Sequence, residues 1–329
     1  MTKSVRINFL LALVALLCAA LSLGIGPAHL GWGRALAAFV GRGDGIATTI
    51  VWQLRLPRAL LALLIGAMLG GAGAALQGYL RNPLADPGVL GTSSTAALGA
   101  VLALYYGFAA ISPLTLPIFA IVGALAGLIP LLLLAARSEG PLALILAGVA
   151  IATAAGAGIS LAINFAPNPF AAIEIMTWLM GSLADRSFLH VWLAAPCIGL
   201  GLGLILLEGR ALDALTLGEE GATALGVDLR RTRLILLVAT AIGVGGAVAV
   251  SGAIGFVGLV VPHLVRPFTD RRPSSLLIPS ALGGAALLAA ADALVRSVPT
   301  LEEPRLGVVT ALIGVPVFLH QLMRARRQW

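Results

Sequence analysis

Long apolar runs alternate with short polar gaps along this chain of 329 residues. The runs are apolar on all sides of a helix, which is typical of segments surrounded by lipid or by other apolar helices. Since about 20 such residues cross a bilayer, the pattern predicts ten spans. We place them at residues 7–26, 56–79, 92–110, 113–135, 141–164, 189–207, 233–250, 253–269, 274–295 and 307–323. The strands of an outer-membrane barrel would instead show polar and apolar positions alternating over ten-residue stretches. We therefore predict an all-α polytopic membrane protein with one transmembrane domain, residues 1–329.

Composition agrees with a membrane protein, and the distribution of basic residues orients it. Hydrophobic residues make up 59% of the chain, charged residues 11%, and the mean hydropathy is +1.02. With the N-terminus inside, 14 of the 21 basic residues lie in predicted cytoplasmic segments. This bias places both termini in the cytoplasm of a multi-pass protein in a bacterial inner membrane. The net charge of +7 therefore reflects topology and gives no reason to expect nucleic acid as a partner.

Residues 208–233 form the one strongly charged segment, with nine charged side chains. We predict a cytoplasmic loop that contains a short helix over residues 217–226, about 13 Å long. Thr216 is the expected N-cap and Glu219 completes a capping box, while Gly226 ends the helix with positive φ. A helix this short needs a partner surface to be stable.

The spans offer few groups for chemistry. Asp292 lies four residues before Arg296, so a helical ion pair accounts for it. The sequence contains no GxxxxGK[ST] and no HExxH motif, and it has a single lysine. No ionisable residue is clearly placed at mid-membrane as an ion relay. We therefore expect no catalytic residue, no metal site and no cofactor bound by this chain, and we expect its energy to come from another protein.

Two further segments are too elaborate for simple connectors. Residues 54–67 place Arg55 and Arg58 around Pro57, a residue suited to the first turn of a helix. Two Asx-Pro steps then predict a rigid turn before residue 92, with Thr92 capping the next helix. The turn residues are Asn82, Pro83, Asp86, Pro87 and Gly88.

A third segment, residues 251–268, is rich in glycine and contains Pro262, which predicts close packing and a kink. Together with RLPR at 55–58, NPLADPGVLG at 82–91, LGEEGATALGVD at 217–228 and GVVTALIGVPVFLHQL at 307–322, it resembles the FecCD family of ABC-importer permeases. The similarity runs through nearly the whole chain, with order and spacing kept.

The resemblance implies the type II importer permease fold. It implies a homodimer with the substrate route on its two-fold axis, two cytoplasmic subunits that bind ATP and magnesium, and a periplasmic substrate-binding protein. The residues it implies for docking that protein are Arg55, Arg58 and Arg296. Those it implies for coupling to the ATPase are Leu217, Gly218, Glu219, Glu220, Gly221, Ala222, Ala224, Leu225 and Gly226.

The expected substrate is a bulky metal chelate imported from the periplasm by alternating access. We rank an iron–siderophore or haem first and cobalamin second. An ion-coupled secondary transporter is the competing class, distinguished by transport without an ATPase, and a membrane enzyme is more distant. The sequence departs from the family before the last span, where Glu303-Pro304-Arg305 displaces the usual proline and adds an outer charge.

Overall fold

A computed structural model describes residues 3–26, 28, 30–137, 140–299 and 303–325, and this part of the chain is helical and contains no β-strand. The extreme termini, which bear on the prediction of two cytoplasmic ends, lie outside these residues. The α-helices are α1 (Lys3–Gly24), α2 (Trp32–Phe39), α3 (Gly45–Thr49), α4 (Leu56–Tyr79), α5 (Thr92–Tyr105), α6 (Thr115–Arg137), α7 (Pro141–Asn164), α8 (Pro169–Leu179), α9 (Phe188–Leu207), α10 (Gly209–Ala214), α11 (Gly218–Ala224), α12 (Leu229–Ser251), α13 (Val257–Val265), α14 (Pro273–Ser297) and α15 (Leu306–Ala325).

The predicted all-α membrane fold is confirmed. Within the described residues, seven helical segments are long and apolar enough to cross a bilayer, and they contain α1, α4, α6, α7, α9, α12 and α14. Helices α5, α13 and α15 occupy the other three predicted spans but their apolar stretches are shorter. The count of ten spans stays a prediction.

One predicted span is wrong at its beginning. The span placed at 253–269 starts as a helix only at Val257, because Gly252 and Phe256 both adopt positive φ (70° and 68°). The intervening residues pack on the segment after α8, where the amide of Ser182 donates to the carbonyl of Ser251 at 2.8 Å. Tertiary contacts have therefore replaced a helical turn with irregular backbone.

Helix α8 was not predicted, although its first turn has a readable signal. Asn168 precedes Pro169, and the Asn168 side chain accepts a hydrogen bond from the amide of Ala171 at 2.9 Å. Asx followed by Pro is a favourable start for a helix. At 11 residues, α8 is too short to be counted as a span.

Helices α4, α12 and α14 form the centre of the bundle and are mostly buried, whereas α1, α6, α7 and α9 bury only a minority of their residues. Gly66 and Gly70 allow α4 to lie directly on α14, since a Cβ at either position would overlap the carbonyl oxygen of Gly284 or Ser280. Small residues at these two positions thus permit the close approach of two helices that is common in membrane proteins. The exposed apolar faces of the outer helices suit contact with lipid.

Candidate functional site

The charged loop 208–233 is folded onto the bundle. Leu212 and Leu215, in and after α10, and Ala222 of α11 are each at most 2% exposed and belong to the main hydrophobic core. The carboxylate of Asp213 accepts hydrogen bonds from the amide and the hydroxyl of Ser274, at 2.9 and 2.6 Å, where α14 begins. The loop is thus a small helical unit attached to α14.

The predicted N-terminal capping of the loop helix is wrong. The Thr216 hydroxyl donates to the carbonyl of Asp213 at 2.7 Å, within a 3₁₀ turn, and α11 runs only from Gly218 to Ala224 with no side-chain cap. Thr216 lies inside that turn, and Leu217 occupies the N-cap position of α11, so the Thr216 hydroxyl is not at the position that caps the helix. The predicted C-terminal end is correct, since Gly226 has φ of +85° and the amide of Val227 donates to the carbonyl of Ala222 at 3.0 Å.

Helix α11 has one buried side and one accessible side. Ala222 is fully buried, whereas Glu220, Thr223 and Ala224 are exposed. At the two ends of the helix, Leu217 and Leu225 are 69% and 65% exposed. Two leucines displayed at the ends of an acidic helix give a surface suited to contact with another protein.

A cavity of about 650 Å³ lies beside this accessible side. Glu219, Glu220, Thr223 and Ala224 line it from α11. Tyr79 and Leu144 line it from α4 and α7, and Arg230 and Arg233 from α12. The helix is therefore anchored through Ala222 and is separated from α4 and α7 by this cavity.

Asp228 has a structural role that the sequence analysis did not assign. Its carboxylate accepts a hydrogen bond from the amide of Arg231 at 3.0 Å and so caps α12. Glu208 similarly accepts from the hydroxyl of Thr232 at 2.8 Å. The loop's acidic residues thus divide into those that hold its fold and those, Glu219 and Glu220, that face the cavity.

The Asx-Pro turn between α4 and α5 packs against α13. The Asn82 and Asp86 side chains accept hydrogen bonds from the amides of Leu84 and Gly88, both at 2.9 Å. The ring of His263 bonds the carbonyl of Pro83 at 2.8 Å. Burial of the Asp86 carboxyl in this turn raises its pKa, against the opposing effect of its hydrogen bond from the amide of Gly88. Thr92 is the first residue of α5 and does not cap it, because Gly91 at φ of +77° takes the capping position.

Arg55, Arg58 and Arg296 lie together at the end of the bundle that the sequence predicts to be outer, and we call them the arginine cluster. All three are buried, at 3%, 8% and 8% exposed. Arg58 Nε donates to Asp292 Oδ1 at 2.8 Å, and Arg58 Nη1 forms an ion pair with Glu303 at 2.8 Å. Arg296 lies 3.9 Å from Asp292, so the predicted i,i+4 pair exists, with Arg58 as the closer partner.

Backbone carbonyls at the end of α1 complete the arginine cluster. Arg296 donates to the carbonyls of Ser22 (2.8 Å) and Ile25, and Arg55 Nη1 donates to the carbonyl of Leu23 at 2.7 Å. The three guanidinium groups therefore join α1, α4 and α14. We expected them at the rim of an interface, and the structure places them inside the protein; their docking role stays a prediction.

Sequence reasoning missed two members of this region. Glu303 enters the sequence analysis only as a departure from the family pattern, and Arg186 has no role assigned there. Both line a small cavity beside Arg55 and Arg58. Spacing gives no signal for these contacts, since Glu303 and Arg58 are far apart in sequence and meet only through the packing of α4 and α14.

The seven helical segments long and apolar enough to cross a bilayer define a multi-pass membrane protein. A model of the FecCD transport family matches residues 12–324. The chain therefore belongs to the FecCD family of ABC-transporter permeases, and it is an inner-membrane protein.

Relatives and a solved structure agree with this assignment. The chain is 41% identical over 301 residues to the uncharacterized ABC transporter permease protein YvrB of Bacillus subtilis, covering 90% of this chain and 85% of that one. It is 42% identical over 277 residues to the vitamin B12 import system permease protein BtuC of Vibrio cholerae, covering 84% of this chain and 83% of that one. A solved ABC transporter assigned to the metal-chelate type, in an inward-facing conformation, superposes with a TM-score of 0.88 at 33% identity, covering 97% of this chain and 99% of that one.

Proposed function

We propose that the chain is the transmembrane subunit of an ATP-driven importer that carries a bulky metal chelate into the cytoplasm. It pairs with a second copy of itself, and two ATP-binding subunits supply the energy. A periplasmic substrate-binding protein delivers the chelate. Membership of the FecCD family and the permease relatives support the importer class. The predicted dimer and the alternating-access route between its two copies are part of the proposal.

The accessible side of α11 is the observation that carries the coupling proposal. A rigid helix held by Ala222 and open on its other side to a cavity of about 650 Å³ transmits a displacement of the ATP-binding subunit to α10 and α12, which it contacts. Of the acidic pair at its start, Glu220 is the exposed member, so reversal of its charge should leave the fold of α11 intact.

The coupling proposal predicts that Glu220→Lys lowers ATP-dependent uptake about tenfold or more, since a lost interfacial interaction of about 1.4 kcal/mol has that effect. Uptake is measured in cells that also produce the ATP-binding subunit and the binding protein. Asp270→Lys, a reversal of another exposed acid at the same end, is the matched control and should retain uptake. Full uptake by Glu220→Lys, with normal amounts in the membrane, contradicts the assignment.

Docking of the binding protein through the arginine cluster is the second element of the proposal. Arg55 is the member best suited to it, because its Nη2 has no hydrogen-bond partner. We expect Arg55→Glu to weaken binding of the periplasmic protein about tenfold or more through repulsion of acidic groups. The exposed Arg42 on the same face provides the control, Arg42→Glu. Equal affinities for the two variants, measured with the permease in nanodiscs, contradict the docking role.

Cobalamin is the substrate that the comparisons favour, which reverses the order expected from the sequence. The vitamin B12 permease of Vibrio cholerae is 42% identical to this chain. The solved metal-chelate transporter keeps an iron chelate as the second candidate. Proteoliposomes containing the complete transporter, supplied separately with cobalamin, haem and a ferric siderophore, distinguish these substrates by ATP-dependent accumulation. Accumulation of haem or siderophore without cobalamin contradicts the first choice.

A further inference from the structure

Helix α2 lies between α1 and α4 in sequence, at the end of the bundle that the sequence predicts to be outer. Large apolar side chains occupy one exposed side of it, at the i, i+4, i+7 and i+8 spacing of a single helical face. We call them the apolar stripe: Trp32, Leu36, Phe39 and Val40, each between 41% and 65% exposed. Soluble surfaces rarely carry a continuous stripe of large apolar groups, so we expect another surface to cover it.

The other sides of α2 hold the helix on the protein and give it a polar side. Ala35 and Ala38 are buried in a small apolar cluster with residues from the segments before and after α2. Arg34 lies nearly opposite the apolar stripe at 3.6 residues per turn. It is exposed and forms an ion pair with Asp44. A short helix with large apolar groups on one side and an arginine on the other is typical of helices that lie in a membrane interface.

Contacts of Trp32 fix the height of the first residue of α2. The apolar part of α1, Val5–Gly24, has 20 residues, and a helix of this length is about 30 Å long, the thickness of the hydrocarbon core. The indole ring of Trp32 lies on Gly24, where a Cβ would overlap it. Trp32 therefore lies at the outer edge of the hydrocarbon core, the depth at which tryptophan is enriched in membrane proteins.

Contacts of Phe39 fix the other end of α2. Its ring stacks on the indole of Trp52 with 5.7 Å between the ring centroids, and Trp52 Nε1 donates to the carbonyl of Ala38 at 3.2 Å. Trp52 precedes Arg55 by about one helical turn, and Arg55 Nη1 donates to the carbonyl of Leu23 at 2.7 Å. Both ends of α2 are thus held where α1 ends and α4 begins, so the helix lies along the membrane surface.

The apolar stripe continues the exposed apolar surface of α1. Leu17 and Leu21, toward the outer end of α1, are exposed, and only 11% of its apolar window is buried. Trp32 joins the two surfaces because its ring lies on the last residue of α1. This continuity with a helix that suits contact with lipid, together with the aromatic side chains at interfacial depth, identifies lipid as the occupant.

We infer that α2 is an interfacial anchor, which lies in the headgroup region of the outer leaflet with the apolar stripe on the acyl chains and Arg34 toward water. The partner is the lipid surface itself. A protein surface, such as that of a second copy of this chain, is the alternative occupant that the experiment separates. The inference does not rest on the proposed transport function.

The test uses the full-length permease in nanodiscs of phosphatidylethanolamine and phosphatidylglycerol, with Cys18→Ala and Cys197→Ala so that a single nitroxide is attached. Labels at Leu36→Cys and Val40→Cys report on the apolar stripe, and a label at Arg34→Cys is the control on the opposite side. We expect oxygen, which concentrates in lipid, to relax the labels on the stripe more than a water-soluble nickel chelate does. The control label should show several-fold greater access to the nickel chelate.

Each outcome of the relaxation measurement decides the inference. Equal access of the nickel chelate to the apolar stripe and to the control places the stripe in water and overturns the anchor. Low access of both oxygen and the nickel chelate at the stripe shows that protein covers it and overturns the anchor as well.

An independent measurement keeps the native cysteines and so remains decisive if their replacement prevents folding. The contribution of Trp32 to the tryptophan emission is the difference between the unmodified permease and Trp32→Phe. Lipids brominated near the headgroup should quench that contribution strongly, and a contribution that they leave unchanged overturns the inference. Neither measurement uses transport, so failure of the anchor leaves the proposed function untouched.

Discussion

Arg58 and Glu220 carry charges at opposite ends of the bundle, in very different surroundings. Arg58 is buried and bonded to Asp292 and Glu303, so its charge joins helices of its own chain. Glu220 is exposed on α11, beside a cavity, and its helix is held by the apolar Ala222. A charged side chain therefore stabilises the fold at one end of the bundle, and a charged side chain is available to a partner at the other end.

This comparison predicts that a buried charge contributes first to stability and that an exposed charge contributes first to contact with a partner. At the end with α11, removal of a charge should spare the fold and affect activity. Removal of a charge from the arginine cluster should first lower the stability of the fold. The following changes test that contrast.

The largest effect on stability is expected for Asp292→Asn. Asp292 is fully buried between Arg58 at 2.8 Å and Arg296 at 3.9 Å. Its neutralisation leaves two guanidinium groups without their shared counterion and should cost about 3–5 kcal/mol of unfolding free energy. Denaturation in detergent measures the loss. Glu220→Gln is the control at the other end and should change stability by less than about 0.5 kcal/mol; similar losses for both contradict the contrast.

A smaller effect separates the two sides of α11. Ala222→Leu places extra methyl groups in the core and should cost about 1–3 kcal/mol. Ala224→Leu lies on the exposed side and should leave the unfolding free energy within about 0.5 kcal/mol, while reducing ATP-dependent uptake. The two variants are compared by denaturation and by uptake in the same preparation. If Ala224→Leu is the less stable variant, the buried side of α11 has been misassigned.

The smallest effect is expected for Gly226→Ala. No atom lies within 4 Å of a Cβ at Gly226, so its φ of +85° is the only obstacle. We expect a loss of about 1 kcal/mol from left-handed strain. Gly33→Ala, at an open position without positive φ, should be neutral or slightly stabilising because alanine favours helices. Equal stabilities show that the end of α11 tolerates rearrangement.

Capping illustrates what can be predicted locally and what cannot. Gly226 was predicted correctly because an αL position favours glycine whatever surrounds it. The prediction for Thr216 failed because the turn over Leu215–Leu217 moves the N-cap position of α11 to Leu217, while the Thr216 hydroxyl donates to the carbonyl of Asp213. The start of α13 failed for a similar reason, since contacts of residues 252–256 with the segment after α8 outweigh helix propensity.

The sequence by itself determined the membrane class, the helical fold, the position of most helices and the family. These follow from hydrophobic runs longer than a bilayer is thick and from motifs that keep their order. Only the tertiary structure decided that Arg55, Arg58 and Arg296 are buried, that Glu303 and Arg186 join them, and that Ala222 rather than a cap holds α11. The physical reason is distance along the chain. Burial and ion pairing depend on which helices pack together, and the pattern of residues along the sequence does not record that packing.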